Sequence, residues 1–189
     1  MTCPSKYIIE QDTREKTPLI FPSHITLLCP KYLPEARVAV NCRIIVEEKT
    51  LPTGDYRAKA DPTGIIIERK KHLSEVARNV LTKLGRRRFA DECTRLSCEC
   101  DRPYFLLEGS MAELLRSYSP IKDESPWLAY DALERLALEH GVSMLYLPST
   151  STAQRRVVGE QIAHLLVNGV VTPWRFNPPS TVESVQSSP

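Results

Sequence analysis

Asp55, Glu68 and Lys70 are the residues of this chain whose types and spacing most readily support chemistry. They stand in GDYRAKADPTGIIIERK, residues 54–70, with the aspartate thirteen residues ahead of the glutamate and the lysine two beyond it. Side chains alternate across a strand, so Glu68 and Lys70 point to one face and Arg69 to the other. A hairpin would bring Asp55 across to Glu68. Two carboxylates on rigid strands, with a backbone carbonyl beside them, make an oxygen-rich site suited to Mg2+ or Mn2+. An ion held there polarises a phosphate and acidifies a bound water. Lys70 then orients that water or balances charge on the phosphoryl group. The spacing alone is common, and a solvated strand end has the same composition. Three features add weight to the chemical reading. Ile65, Ile66 and Ile67 anchor the charges in a core, Arg86-Arg87-Arg88 follow one helix later, and Gly54 stands where backbone must turn tightly.

Periodicity supplies the elements that would hold these groups. KYIIEQD, ending at Asp12, reads as a strand. KTPLIFPSHITLLCPKYLP reads as a proline-rich extended connection with one short strand, and ARVAVNCRIIVEEKTL as one long strand or two short ones. The hairpin joins DYRAKA to IIIERK through a type I turn starting at Asp61, with Pro62 and Gly64 in its favoured positions. Leu73, Val76, Ala77, Val80, Leu81 and Leu84 form a helical stripe that Gly85 interrupts. Phe89, Cys93 and Leu96 belong to a second helix, with the three arginines at the junction. RPYFLLEG and VSMLYLP read as buried parallel strands. SPWLAYDALERLALEHG reads as a helix capped by Ser125, with Trp127 on its core stripe and Gly141 past its end. A last helix over 151–168 is expected to stop at Gly169. Strands followed by alternating helices and strands imply an α/β fold, a mixed sheet with helices on both faces. One domain is expected over residues 1–170, and residues 171–189 carry no core-forming pattern and read as a disordered tail.

Composition narrows the class without deciding it. Apolar content of 42% and charged content of 25% are those of an ordinary globular protein, and a net charge of +2 does not by itself announce a nucleic-acid partner. The N-terminus lacks the apolar core of a signal peptide, and no apolar run reaches the roughly 20 residues that span a bilayer. An intracellular protein with reduced cysteines is therefore expected. The spacing of Cys93, Cys98 and Cys100 matches no common zinc pattern, and the four histidines show no ligand spacing. Ser149, Thr150 and Ser151 have no paired base and read as helix caps.

Several separate stretches resemble the XPF-type structure-specific endonucleases, within the larger PD-(D/E)xK restriction-like nucleases. These are DTRE (Asp12 to Glu15) with KTPLIFP after it, LPTGDY with its Gly-Asp, IIIERK with its Glu-Arg-Lys, GRRRFADECTRL, and LERLALEHGVSMLYLPS. They keep the family order over roughly residues 7–168. The resemblance implies a restriction-endonuclease-like fold of phage or bacterial type and Mg2+- or Mn2+-dependent hydrolysis of DNA, at branched or flap structures in repair or recombination. By the same resemblance Asp55 and Glu68 are metal ligands and Lys70 is the catalytic lysine. Asp12, Arg14 and Glu15 line the site, and Arg69, Arg86, Arg87 and Arg88 support it or contact phosphate. A bacterial or phage relative would work in the cytoplasm at the nucleoid, a eukaryotic one in the nucleus. Two positions depart from the family pattern. Ser74 stands where an aspartate is usual, with Glu75 beside it expected to turn away by about 100°, and Glu92 replaces the usual glutamine. Many relatives carry a tandem helix-hairpin-helix module after the nuclease domain. The short remainder here leads to the expectation that any homodimer, or pairing with a partner subunit, uses the nuclease domain's own surface. A catalytically weak DNA-binding scaffold is the alternative, and a sequence-specific restriction enzyme is a third.

Overall fold

The structure is a computed structural model, which describes residues 5–30, 37–71, 73–110, 112, 126–148 and 151–171. Seven strands form one sheet: β1 (Lys6–Asp12), β2 (His24–Pro30), β3 (Arg37–Lys49), β4 (Tyr56–Ala58), β5 (Asp61–Lys70), β6 (Arg102–Glu108) and β7 (Ser143–Leu147). Their order is β2-β3-β1-β4-β5-β6-β7. β1 runs parallel to β3, and β5, β6 and β7 run parallel to one another; β2 is antiparallel to β3, and β4 to both β1 and β5. Among the described residues four helices have full spans: α1 (Leu73–Leu81), α2 (Lys83–Glu99), α3 (Pro126–Glu139) and α4 (Thr152–Val171). The expected α/β class with a mixed sheet and helices on both faces is what the chain adopts.

Strand alternation divides the sheet into two cores. Ile65, Ile67 and Leu106 face α4 through Ile162, Leu166 and Val167. Ile66, Phe105 and Leu107 face α1, α2 and α3 through Val80, Phe89 and Leu133. The three isoleucines are 4%, 1% and 0% exposed, and burying each stabilises the strand by about 1.5–3 kcal/mol. β5 is thus held from both sides just before its charged end.

Four local expectations need correction. The hairpin turn is at Lys59 and Ala60, because Ala58 pairs with Asp61 and Pro62–Gly64 belong to β5. A register shift then makes Arg57 pair with Ile66, and Thr63 uses its carbonyl to accept from the Asp101 N–H at 2.8 Å. Gly85 does not separate two helices by breaking one; it lies in the first turn of α2, where a Cβ would come 2.0 Å from the Asn79 carbonyl oxygen. Thr82 caps this turn, accepting from the Gly85 N–H at 3.0 Å. α4 runs through Gly169, whose missing Cβ leaves room for the Ile65 side chain 2.5 Å from where it would sit. Trp127 is 57% exposed, because α3 buries Ala129, Leu133, Leu136 and Ala137, and Trp127 lies two residues before that stripe. The α4 cap does lie at Ser151, in a capping box: Gln154 N–H donates to Ser151 Oγ at 3.2 Å, and Gln154 Oε1 accepts from the Ser151 N–H at 3.0 Å. Val171, the first residue of the expected tail, is the last of α4; residues 172–189, His72, Ser125, Ser149 and Thr150 lie outside the described residues.

Candidate active site

β5 ends in Glu68, Arg69 and Lys70, and the site is built from that end outward. Asp55 is locked beside it by three backbone groups. Its N–H donates to the Ile67 carbonyl at 2.8 Å, and its own carbonyl accepts from the Asp12 N–H at 2.9 Å. Its Oδ2 accepts from the Arg69 N–H at 2.7 Å. Gly54 makes this approach possible, since it sits at φ +75° and a Cβ there would come 2.2 Å from Ile66 Cγ2. Asp55 and Glu68 open into one cleft of about 650 Å3. Burial, and after it the charge of Glu68, push the Asp55 carboxyl up to about 7. That rise marks two carboxylates sharing a poorly compensated space.

Lys70 stands on the same wall. Its Nζ lies 2.8 Å from Glu68 Oε1 and 3.0 Å from Glu92 Oε2, with all three side chains partly exposed. Burial would lower the ammonium's pKa, but the two ion pairs outweigh it and the net shift is upward. Lys70 therefore stays a cation and is a charge-bearing group here, not a base. Leu84, Arg88 and Glu92 form the facing wall, at i, i+4 and i+8 on α2, next to the buried stripe of Phe89, Cys93 and Leu96, of which Phe89 also lines the cleft. Glu75 and Asn79, one turn apart on α1, complete that side.

The reverse face of the same strand end is closed. The Arg69 side chain is 1% exposed and pairs with Glu15 at 3.5 Å and with Glu108, and its Nη1 donates to the Thr17 carbonyl at 2.5 Å. Glu15 also binds Lys71 Nζ at 2.6 Å and the Thr17 N–H at 3.0 Å. Burial would raise its pKa, but Lys71, Thr17 and Arg69 outweigh it and hold the carboxyl low. Asp12 is fully buried and saturated. Arg14 donates to it from Nε at 2.9 Å, Nη2 at 2.5 Å and its N–H at 2.7 Å, and Leu51 donates at 3.1 Å. The Arg14 side chain's hydrogen bonds lead in holding that carboxyl low.

The ERCC4 domain family model matches residues 12–155, well over half of the chain. The chain belongs to the ERCC4 domain family. The match spans the whole cleft, from DTRE through the last wall residue of α2. Two solved structures share its nuclease fold: XPF from Aeropyrum pernix, at 20% identity and a TM-score of 0.52, and XPF from Aeropyrum pernix in complex with DNA, at 21% and 0.50. Each match covers 84% of this chain and 64% of that one, so the chain spans less than two thirds of the XPF chains it matches. No curated protein sequence matches it.

In this ERCC4 domain the fold brings Asp55, Glu68, Lys70, Arg14, Glu15 and Arg88 to one cleft. It does not bring Asp12, Arg86 or Arg87 there. Asp12 spends its oxygens on Arg14 and Leu51. Arg86 donates to the Val80 carbonyl at 3.2 Å, and it lines with Arg87 a separate hollow behind α1 and α2. Successive helix residues turn by about 100°, so three arginines in a row cannot share a wall. Arg69 meets the cleft through its backbone while its side chain serves the reverse face. Glu75 lines the cleft, contrary to its expected turn away. The sequence reading left Glu108 unmarked, and a carboxylate closing the apolar run PYFLL was its signal. The Ser74 side chain lies outside what the structure describes. Among the described residues no group of three or more His, Cys, Asp or Glu side chains converges on one point. The donor set is the Asp55–Glu68 pair. Mg2+ is commonly held by one or two carboxylates while it keeps several waters, so this pair fits such an ion.

Proposed function

We propose that this ERCC4 domain is a Mg2+- or Mn2+-dependent DNA endonuclease that hydrolyses phosphodiester bonds at branched or flap structures in repair or recombination. The observation that carries the reading is the Asp55–Glu68 pair, two rigidly held carboxylates facing one open cleft with the Lys70 cation beside them. Asp55 and Glu68 would hold the metal ion. When bound, it supplies Lewis-acid polarisation of the scissile phosphate and a more acidic water. Lys70 would offer a fixed positive charge to the phosphoryl oxygens, with Glu92 keeping the ammonium in register. Arg14 and Arg88 flank the cleft as phosphate contacts, and the Glu15–Arg69–Glu108 cluster holds the strand end from behind. Support for DNA as substrate comes from family membership and from the DNA-bound XPF of the same fold. A dimer of this domain, or a partner subunit, would complete the assembly on a branched substrate.

Incubation with branched and with linear DNA, in Mg2+ or Mn2+ and then in EDTA, tests the reading. Cutting of the branched substrate that needs metal and that Asp55→Asn abolishes is the expected result. Binding without any metal-dependent cutting would leave the scaffold reading. Discrete fragments from plain duplex would mean a sequence-specific enzyme.

A further inference from the structure

Half of one sheet face carries no helix among the described residues. On the face of Glu68 and Lys70, α1, α2 and α3 cover β5, β6 and β7. Over β2, β3 and the Lys6 end of β1 that same face is open among the described residues: His24, Thr26 and Leu28 are exposed while Ile25 and Leu27 between them are buried in the other core. The register sets His24 opposite Arg43, and Arg43 opposite Lys6, in a straight row across three strands. All three residues are exposed. Like charges directly opposite one another in a sheet are unfavourable, by an amount similar to the roughly 0.2–1 kcal/mol a good cross-strand pair contributes. Cations nearer the cleft are compensated: Lys49 and Arg57 each sit 2.7 Å from Glu10, and Lys59 sits 2.6 Å from Glu47. Among the described residues no carboxylate lies within ion-pair reach of Lys6 or Arg43. Among the described residues this opposed Lys–Arg pair is thus uncompensated at one point of the sheet's open half.

We propose that the His24–Arg43–Lys6 row is a phosphate-binding station for the duplex arm of the DNA substrate. The inference rests on the nuclease reading above and extends it from the cleft to a second contact. The row and the cleft lie on one continuous surface, since β1 runs from Lys6 to Asp12 and Asp12 holds Arg14 at the cleft rim. That run is about 20 Å at the usual rise of a strand, or about six nucleotide steps along one DNA strand. Charge selects the occupant. Thr26 and Asn41, the next opposed pair, are polar and exposed, Ile8 and Ile45 are already half-buried, and Leu28 is the exposed apolar side chain farther along, so a protein partner would gain limited apolar burial beside the row. A polyanion gains from the uncompensated cations and relieves their mutual repulsion.

The test is equilibrium binding of the full chain, in EDTA, to two flap substrates over a range of salt. One has a duplex arm shorter than about six base pairs and the other an arm about twice that length. For the long arm, the double variant Lys6→Ala/Arg43→Ala should lower affinity about tenfold and make the salt slope shallower by about two. For the short arm it should change neither. The double variant should also melt at or above the parent's temperature, because an unfavourable pair is gone; Lys6→Gln/Arg43→Gln serves if the alanine form does not fold. Unchanged affinity and slope on the long arm would overturn the inference, as would an equal loss on both arms. An altered oligomeric state with unaltered DNA affinity would assign the row to a protein interface and overturn it too. If the parent binds no DNA, the nuclease reading falls with it. If the parent cuts and Asp55→Asn does not, while the double variant binds like the parent, the station alone falls.

Discussion

The two faces of one strand end, Glu68 and Lys70 in front and Arg69 behind, use the same residue types for opposite ends. Behind, Arg69 meets Glu15, Glu108 and the Thr17 carbonyl in a closed space, and Glu15 has Lys71 as well. In front, Asp55 and Glu68 stand side by side on one wall of an open cleft, with Lys70 shared between Glu68 and Glu92. Compensation is what separates them. A buried, paired charge holds structure, and an open, poorly paired one is poised to meet a ligand.

The comparison breaks most visibly if Arg69 is removed. Arg69→Ala leaves Glu108 buried without its cation and Glu15 with Lys71 alone, and is expected to cost about 3–5 kcal/mol of stability in denaturant unfolding. Arg69→Lys should recover little of it, since a single ammonium cannot reach Glu15, Glu108 and Thr17 together. Lys70→Ala should do the reverse, leaving the melt near the parent's while cutting falls by more than about 100-fold, beyond what loss of an outer partner costs. Parity between these two variants in either assay would erase the distinction between the faces.

A smaller effect comes from pH. The Asp55 carboxyl is raised to about 7 from an ordinary 3.8. A raised acid contributes stability that is fully present below its unfolded value and lost as pH climbs through the folded one. Measured against Asp55→Asn, which keeps the opposing contribution of the carboxyls held low, the metal-free parent should therefore lose roughly 1–3 kcal/mol between about pH 4 and pH 8, allowing for the water that reaches the cleft. Asp55→Asn should flatten that slope, as should added Mg2+. The smallest effect is at Glu92. Glu92→Gln keeps a hydrogen-bond acceptor for Lys70 but removes one of its two counter-charges, so cutting should change by no more than about tenfold, while Glu92→Ala should lose more. Equal effects of the two would mean that Glu92 does not position the lysine.

Much of the front face was legible in the sequence because it rests on period-2 alternation, which sets Glu68 and Lys70 against Arg69 without knowledge of the fold. The Leu73-to-Leu81 stripe was legible from its 3.6-residue period, and the two buried parallel strands from their continuous apolar runs. What misled was local punctuation. Pro62 and Gly64 suggested a turn, yet Ala58–Asp61 pairing moved it to Lys59 and Ala60. Gly85 and Gly169 resembled breaks, yet each marks a close approach of another segment. Both are tertiary facts with no local signature. The saturation of Asp12 and the divergence of Arg86 and Arg87 from Arg88 likewise depend on which partner reaches a side chain first. The site's residue types were readable; their partners were not.

The most direct test of the central claim, that Asp55 and Glu68 form a divalent-metal site, is calorimetric titration of the domain with Mn2+ at about pH 6 in buffers of different ionisation heat. Ligands must shed their protons to bind metal. With Asp55 titrating at about 7, binding should release about one proton, and Asp55→Asn should lose both the proton release and most of the affinity. Equal Mn2+ affinity in the parent and Asp55→Asn, with no proton released by either, would contradict the account.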